Sequence, residues 1–236
     1  MAYNGGPAFN SGIVVLLRLY GARNTVGSRE TSKNKIVNLT KRQEAILIGT
    51  VLGDGYLQKT GSKNARLRLE HGERQKEYLL WKGRQFPALF NGEPERIERV
   101  HPKTKKTYIY SRWQSHATPE LGKWQALFYT NGSKHIPSTL AGLMREPLSI
   151  AVWYMDDGFF DPKQKHSFIY LGRVTREEAD TARDTIEKNF SLASRVYDKK
   201  VKGFALFFSV AETKKLHELI RGDVVDSMRY KLSLTP

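Results

Sequence analysis

Two apolar stretches of this chain end in the same way, an aspartate followed by a glycine, 103 residues apart. The first runs Leu47-Ile48-Gly49-Thr50-Val51-Leu52-Gly53-Asp54-Gly55, the second Ile150-Ala151-Val152-Trp153-Tyr154-Met155-Asp156-Asp157-Gly158. Each has about two turns of apolar or small residues, then a carboxylate, then a glycine able to end a helix. The C-terminus of a helix already carries partial negative charge, so an acid placed there is electrostatically unfavourable until a cation neutralises both. Two such helices side by side would bring two acids together. That is the first element of a metal-dependent phosphodiester-cleaving site.

The elements around these motifs read as one plan repeated. Thr40 is placed to cap a helix running to Asp54. A short strand Tyr56–Gln58, a turn and a strand Ala65–His71 follow. Helical spacing then covers Glu73–Phe90. Strands near Ile97–Val100 and Thr107–His116 and a helix Pro119–Phe128 complete the first half. In the second half, Pro147 sits in the first turn of the motif helix. A strand at Phe159-Phe160 and a return strand Ser167–Val174 come next. Thr175 caps the helix Arg176–Phe190, with Glu178 completing a capping box. Strands Ser194–Tyr197 and Phe204–Val210 and a helix Ala211–Ile220 close it. Both halves read αββαββα, an α+β fold of two pseudo-symmetric units. The expected division is a poorly ordered basic extension over 1–39, a first half over 40–131, a linker over 132–146 and a second half over 147–236.

Charge points to the partner. Lysine plus arginine total 39 against 24 acids, a net +15 with a pI near 9.9, which favours a polyanion such as nucleic acid. The lysines recur in register at the hairpin turns, as Lys59 and Lys63, then Lys103, Lys105 and Lys106. The second half repeats them as Lys163 and Lys165, then Lys199, Lys200 and Lys202. They read as a charged rim on a two-fold groove. Beside it, the polar strand faces Arg66/Arg68/Glu70 and Arg112/Gln114/His116, with Arg173 in the second half, are candidates for contact with a DNA major groove. No cysteine is present, which excludes disulfide frameworks and cysteine-based zinc sites. Six scattered histidines show no zinc-ligand spacing.

The apolar run Ile13–Leu17 is cut by Arg18, too short for a membrane span and without the flanks of a secretory signal. Residues 1–40 hold five basic residues and the single acid Glu30. That leader reads equally as an organellar transit peptide or as translation from an upstream reading frame. The expected location is a bacterial cytoplasm or an organelle (mitochondrion or chloroplast), with no secretion and no membrane association.

The paired motifs, each opening an αββαββα unit, resemble those of the LAGLIDADG homing endonucleases, in the single-chain form with two motifs. The resemblance covers about residues 40–236. It implies that the motif helices pack along a pseudo-dyad, with Gly49, Gly53 and Ala151 as the small residues that let them approach. It also implies that Asp54 and Asp157 bind divalent metal, Mg2+ with Mn2+ as a substitute, at the scissile phosphates. The adjoining Gly53 and Asp156 complete the candidate metal site. Asp156 matches Gly53 and so has no partner carboxylate, which makes Asp157 the acid of choice. Ser133-Lys134-His135-Ile136-Pro137 and Met228-Arg229-Tyr230-Lys231-Leu232 resemble segments that supply a lysine near each active site in the ribosomal-RNA-intron type, so Lys134 and Lys231 join the catalytic set.

The implied function is site-specific double-strand DNA cleavage by a monomer on a long asymmetric target. Two alternatives on the same fold are a splicing factor (maturase) that binds intron RNA and a DNA-binding regulator without cleavage. Intein splicing is disfavoured by the absence of cysteine and of a His-Asn end.

Overall fold

A computed structural model describes residues 37–233 of the chain. The extension expected over 1–39 therefore lies almost wholly outside the described residues. Thr40 is extended, and its side chain accepts from the Gln43 N–H at 3.2 Å while the Gln43 side chain accepts from the Thr40 N–H at 3.0 Å. This reciprocal cap starts helix α1, Lys41–Leu52, which closes as the Gly53 N–H donates to the Gly49 carbonyl. Strands β1, Tyr56–Lys59, and β2, Ala65–Gly72, form a hairpin with Tyr56 opposite Arg68. Strict alternation along β2 buries Leu67, Leu69 and His71 and turns Arg66, Arg68 and Glu70 outward.

Helix α2 spans Lys76–Arg84 after one 3-10 turn, well short of the helix expected over Glu73–Phe90. Pro87 is the physical reason. It has no N–H to donate and disfavours the helical region for Phe86, so the chain tightens into i→i−3 bonds at Gln85 and Phe86 and leaves the helix. Strands β3, Glu95–Val100, and β4, Thr107–Gln114, complete a four-stranded antiparallel sheet ordered β1-β2-β4-β3. Helix α3, Pro119–Phe128, is capped by Thr118 and covers the inner face of that sheet.

The segment expected to be a linker over 132–146 is structured. Strands β5, Tyr129–Thr130, and β6, Ser133–Lys134, form a hairpin around Asn131-Gly132, both at positive φ (52° and 78°). An Asn-Gly pair in that conformation makes a two-residue turn whose twist matches its strands. A single helical turn α4, Leu140–Leu143, packs on the second half before α5 begins.

The second half repeats the order. Helix α5, Pro147–Asp157, leads to β7, Gly158–Phe160, and β8, Ser167–Gly172. Helix α6, Arg176–Phe190, carries the expected Thr175/Glu178 capping box. Strands β9, Arg195–Asp198, and β10, Phe204–Phe208, give a sheet ordered β7-β8-β10-β9, and α7, Val210–Ile220, is capped by Ser209. A 3-10 turn over Asp226–Lys231 takes the place of the β5–β6 hairpin.

Helices α1 and α5 pack along each other at the centre. A Cβ on Gly49 would lie 2.3 Å from the Ser149 carbonyl oxygen and 2.8 Å from Val152 Cβ, and one on Gly53 would lie 2.5 Å from the Asp156 side chain. The close approach thus rests on Gly49 and on Gly53 at the end of α1. The atoms nearest those two positions are from Ser149, Val152, Trp153 and Asp156, and Ala151 is buried. No helix among the described residues is long and apolar enough to cross a membrane.

Candidate metal site and nucleic-acid faces

The contact of α1 with α5 delivers Asp54 and Asp157 to the same end of the molecule's central seam. Neither side chain accepts a hydrogen bond among the described residues. Asp157 is held well above the usual carboxylate range by burial first and by the Asp54 charge second. Asp54 is raised by desolvation and then by Asp156. Its side chain is 47% exposed, so one side of the carboxylate is open while the protein packed around the rest still strips it of water. Two such acids, mutually repelling and without donors, suit a hard divalent cation, which prefers carboxylate oxygens.

Lys134 and Lys231 occupy matching places. The Lys134 ammonium donates to the Gly53 carbonyl at 2.6 Å, and the Lys231 ammonium donates to the Asp156 carbonyl at 2.8 Å. Each lysine therefore holds the last free carbonyl before its acid and offsets the negative end of that helix. Burial pushes both ammonium pKa values down, while the acids around them pull the other way. A hairpin places Lys134 and a 3-10 turn places Lys231, yet the two end in the same relation to their acids.

Asp156 stands apart from this pair. Its side chain is fully buried and accepts from the equally buried Lys82 ammonium at 2.8 and 3.0 Å, and from the Asp54 N–H at 3.2 Å. Burial alone would raise its pKa, but Lys82 and His71 hold it below the usual range. His71 lies with Nδ1 3.7 Å from Asp54 and Nε2 3.9 Å from Asp156, and burial drives its pKa to about 3, so it is neutral. Asp54, His71 and Asp156 each bring one candidate ligand atom within 4.8 Å of the others. A cation shared by these three would have to compete with Lys82 for both Asp156 oxygens. The Gly53 carbonyl is likewise already taken, by Lys134.

Over residues 44–216 the chain matches the model of the LAGLIDADG DNA endonuclease family. The chain belongs to that family. Among its relatives, the RecA protein of Mycobacterium shimoidei is 29% identical over 208 residues, covering 82% of this chain and 47% of that protein. The chain thus spans about half the length of such relatives. The probable intron-encoded endonuclease 1 of Wickerhamomyces canadensis is 26% identical, with 85% of this chain and 87% of that protein covered. The solved structure of the homing endonuclease I-WcaI bound to its DNA recognition sequence superposes with a TM-score of 0.80 at 24% identity, over 89% of this chain and 97% of that one. That likeness establishes the LAGLIDADG fold.

On this LAGLIDADG scaffold the residues expected at a nucleic-acid surface take three kinds of place. Lys59, Lys63, Lys103, Lys105, Lys106, Lys163, Lys165, Lys200 and Lys202 are exposed at the hairpin tips. Arg68 pairs with Gln114 and Glu70 with Arg112 across the ladder, so these side chains and Arg66 share the outer face of the first sheet. Glu70 is no free acceptor there. Burial raises its pKa, but hydrogen bonds from Arg112 at 2.7 Å and Arg99 at 2.6 Å more than offset this, and the carboxyl stays below its usual range. His116 falls beyond the end of β4, exposed, with its N–H on the Leu89 carbonyl, so it is not a strand-face residue. Lys199 is drawn over aromatic rings, and Arg173 donates to the Val201 carbonyl at 3.3 Å.

Lys82 and His71 were not picked out from the sequence as site residues, although the signal was present. Alternation after Leu67 and Leu69 points His71 inward. Helical spacing from Tyr78 and Leu79 puts Lys82 on the buried stripe.

Proposed function

We propose that this protein is a site-specific double-strand DNA endonuclease that hydrolyses phosphodiesters at Asp54 and Asp157 and mobilises the intron encoding it. The observation that carries this reading is the pair of donor-free carboxylates, both raised above their usual range, at the ends of two touching helices. Each is followed by a lysine held on the carbonyl before it. A purely DNA-binding protein has no use for that arrangement.

In this reading Asp54 and Asp157 hold divalent metal, Mg2+ in the cell with Mn2+ able to replace it. Bound metal supplies charge neutralisation on the leaving oxygen and a more acidic water. Lys134 and Lys231 place a positive charge beside each acid, where it stabilises the phosphorane-like transition state. Asp156 and Lys82 form the floor of the site rather than its reactive edge. The outer sheet faces and the lysine-bearing hairpin tips engage duplex DNA, and one chain supplies both halves, so the protein works as a monomer.

The test is cleavage with Mg2+ of an intronless ribosomal-RNA gene fragment from the source organism, beside the allele that carries the intron. Cutting of the first alone, leaving short 3′ overhangs, is expected. No cut there or in a randomised duplex library, together with nanomolar binding to the intron RNA, would replace this reading with that of a splicing factor.

A further inference from the structure

The outer face of the second sheet differs in chemistry from that of the first. The first hairpins align the halves, with Tyr56 opposite Arg68 in one and Phe159 opposite Phe168 in the other. Where the first face presents Arg66, Arg68, Arg112, Glu70 and Gln114 beside three tyrosines, two of them under arginines, the second presents the contiguous rings Phe159, Phe168, Tyr170, Tyr197 and Phe207, with Arg195 opposite Phe207 at their edge. Phe168 is the hub. The rings of Tyr170, Tyr197 and Phe207 are centred 6.0, 6.1 and 5.3 Å from its own. Phe207 is its ladder partner, and Tyr170 and Tyr197 flank Ala205 one row along.

The core does not need these rings. Ile169, Leu206 and Phe208 point to the buried side of the same strands. Phe159, Tyr170 and Tyr197 are instead 45%, 38% and 53% exposed. An exposed apolar cluster of this kind marks an interaction site. Its border identifies the partner's chemistry. The Lys199 ammonium stands 4.9, 5.6 and 5.4 Å from the centres of Phe168, Tyr170 and Tyr197. Lys163, Lys165, Lys200 and Lys202 stand exposed at the adjoining hairpin tips. An apolar floor inside a cationic rim complements a duplex major groove, whose edges are phosphates and whose only apolar feature is the C5-methyl of thymine. The rim disfavours an apolar protein patch, which offers no anions for it.

We infer that the second sheet reads its half of the target through thymine methyl groups, while the first reads base edges through Arg68, Arg112 and Gln114. This rests on the nuclease reading above and adds which chemistry each half-site must carry. The target is then lopsided, with purine edges that suit arginine and glutamine on one side and clustered thymines on the other.

Sites cut from a randomised duplex library locate the two half-sites, and Arg112→Ala, which relaxes one of them, labels it as the first sheet's. Replacing thymine by deoxyuracil removes only the methyl. In the second half-site each replacement should weaken binding about 4-fold, the equivalent of one methyl-sized group returned to water. In the first half-site it should change nothing. Tyr170→Gln with Tyr197→Gln should erase the deoxyuracil effect.

A cleaved target indifferent to deoxyuracil in both halves overturns the inference and leaves the nuclease standing. So does a tyrosine variant that keeps the duplex response but loses binding to single-stranded RNA, which would assign the rings to base stacking. A library with no bound or cut member overturns the nuclease reading and this inference with it. The deoxyuracil arm uses the unaltered protein, so it stands even where a variant fails to fold.

Discussion

The two halves share a backbone plan and differ at the places that face across the seam. In the first half, Lys82 and His71 reach Asp156 of the second. Aligned through the first hairpins, the matching residues are Ala182 and Leu171, and the residue matching Asp156 is Gly53. The buried ion pair has therefore been replaced on the other side by two small residues, both members together. This follows from electrostatics. Removing one partner of a buried pair strands a charge and costs about 3–5 kcal/mol, whereas replacing both is close to neutral. Asp54, Asp157, Lys134 and Lys231, in contrast, occur on both sides in the same relation. On the proposed nuclease reading, what is held in common would carry the chemistry, and what differs would form the floor beneath it and the face turned to DNA.

The hardest test of that division is at the shared acids. Asp54→Asn or Asp157→Asn should reduce double-strand cleavage at least about a thousand-fold, since metal-borne charge stabilisation is worth several kcal/mol. Specific DNA binding should survive. The same variants carry a stability signature. Both carboxyls titrate above their usual 3.8 in the folded protein, so the fold retains protons that the unfolded chain has released. Metal-free stability should therefore fall as pH rises from 3.8 through the raised folded values, and remain lower above them. Asp156, shifted the other way, contributes stability that is lost only as pH falls below 3.8. At neutral pH the metal-free Asn variants should melt higher than the parent, by roughly 2–4 °C for each kcal/mol of repulsion removed. Calorimetry with and without Mg2+ reads this directly. An Asp157→Asn protein that melts lower at neutral pH and still gains stability from Mg2+ would remove Asp157 from the site.

The unshared pair comes next. Lys82→Met should cost about 3–5 kcal/mol in denaturant unfolding, and Lys82→Met with Asp156→Ala should recover most of it. If the double variant is as unstable as the single, the pair does more than neutralise itself. Gly49→Ala should cost about 1–3 kcal/mol, because its Cβ lands on the Ser149 carbonyl and neither backbone can yield freely. The smallest effect is at the rim. Removing Lys105 and Lys106 together should flatten the salt dependence of DNA binding by roughly two units, one per phosphate contact. An unchanged slope would take that hairpin off the backbone.

Much of the fold was legible because its signals are local. Caps at Thr40 and Thr175, the alternation of Leu67 and Leu69, and Pro119 at a helix start each act within a few residues, and the structure has them as expected. Two features carry more structure, or end sooner, than the sequence reading gives them, although their signals are equally local. Pro87 ends α2 early, and Asn131-Gly132 turns the presumed linker into the hairpin that carries Lys134. The floor of the site was harder. Lys82 meets Asp156 across 74 positions of chain, and no spacing rule links a lysine on one half's helix to an acid on the other's. The aromatic second face was visible as phenylalanines and tyrosines, but alternation in β10 breaks where Ala205 and Leu206 are both buried. Strands of that pattern give no sign of which rings stay in water.

The glycines of α1 have one more consequence. With no side chain between Gly49 and Ser149, the separation of the two acids is fixed by one backbone lying on another, not by rotamers that breathe. For a nuclease that cuts both strands, the helix pair then serves as a ruler. On the proposed nuclease reading, the spacing of the two acids would then follow how closely two main chains touch, and a single methyl group at position 49 would push them apart.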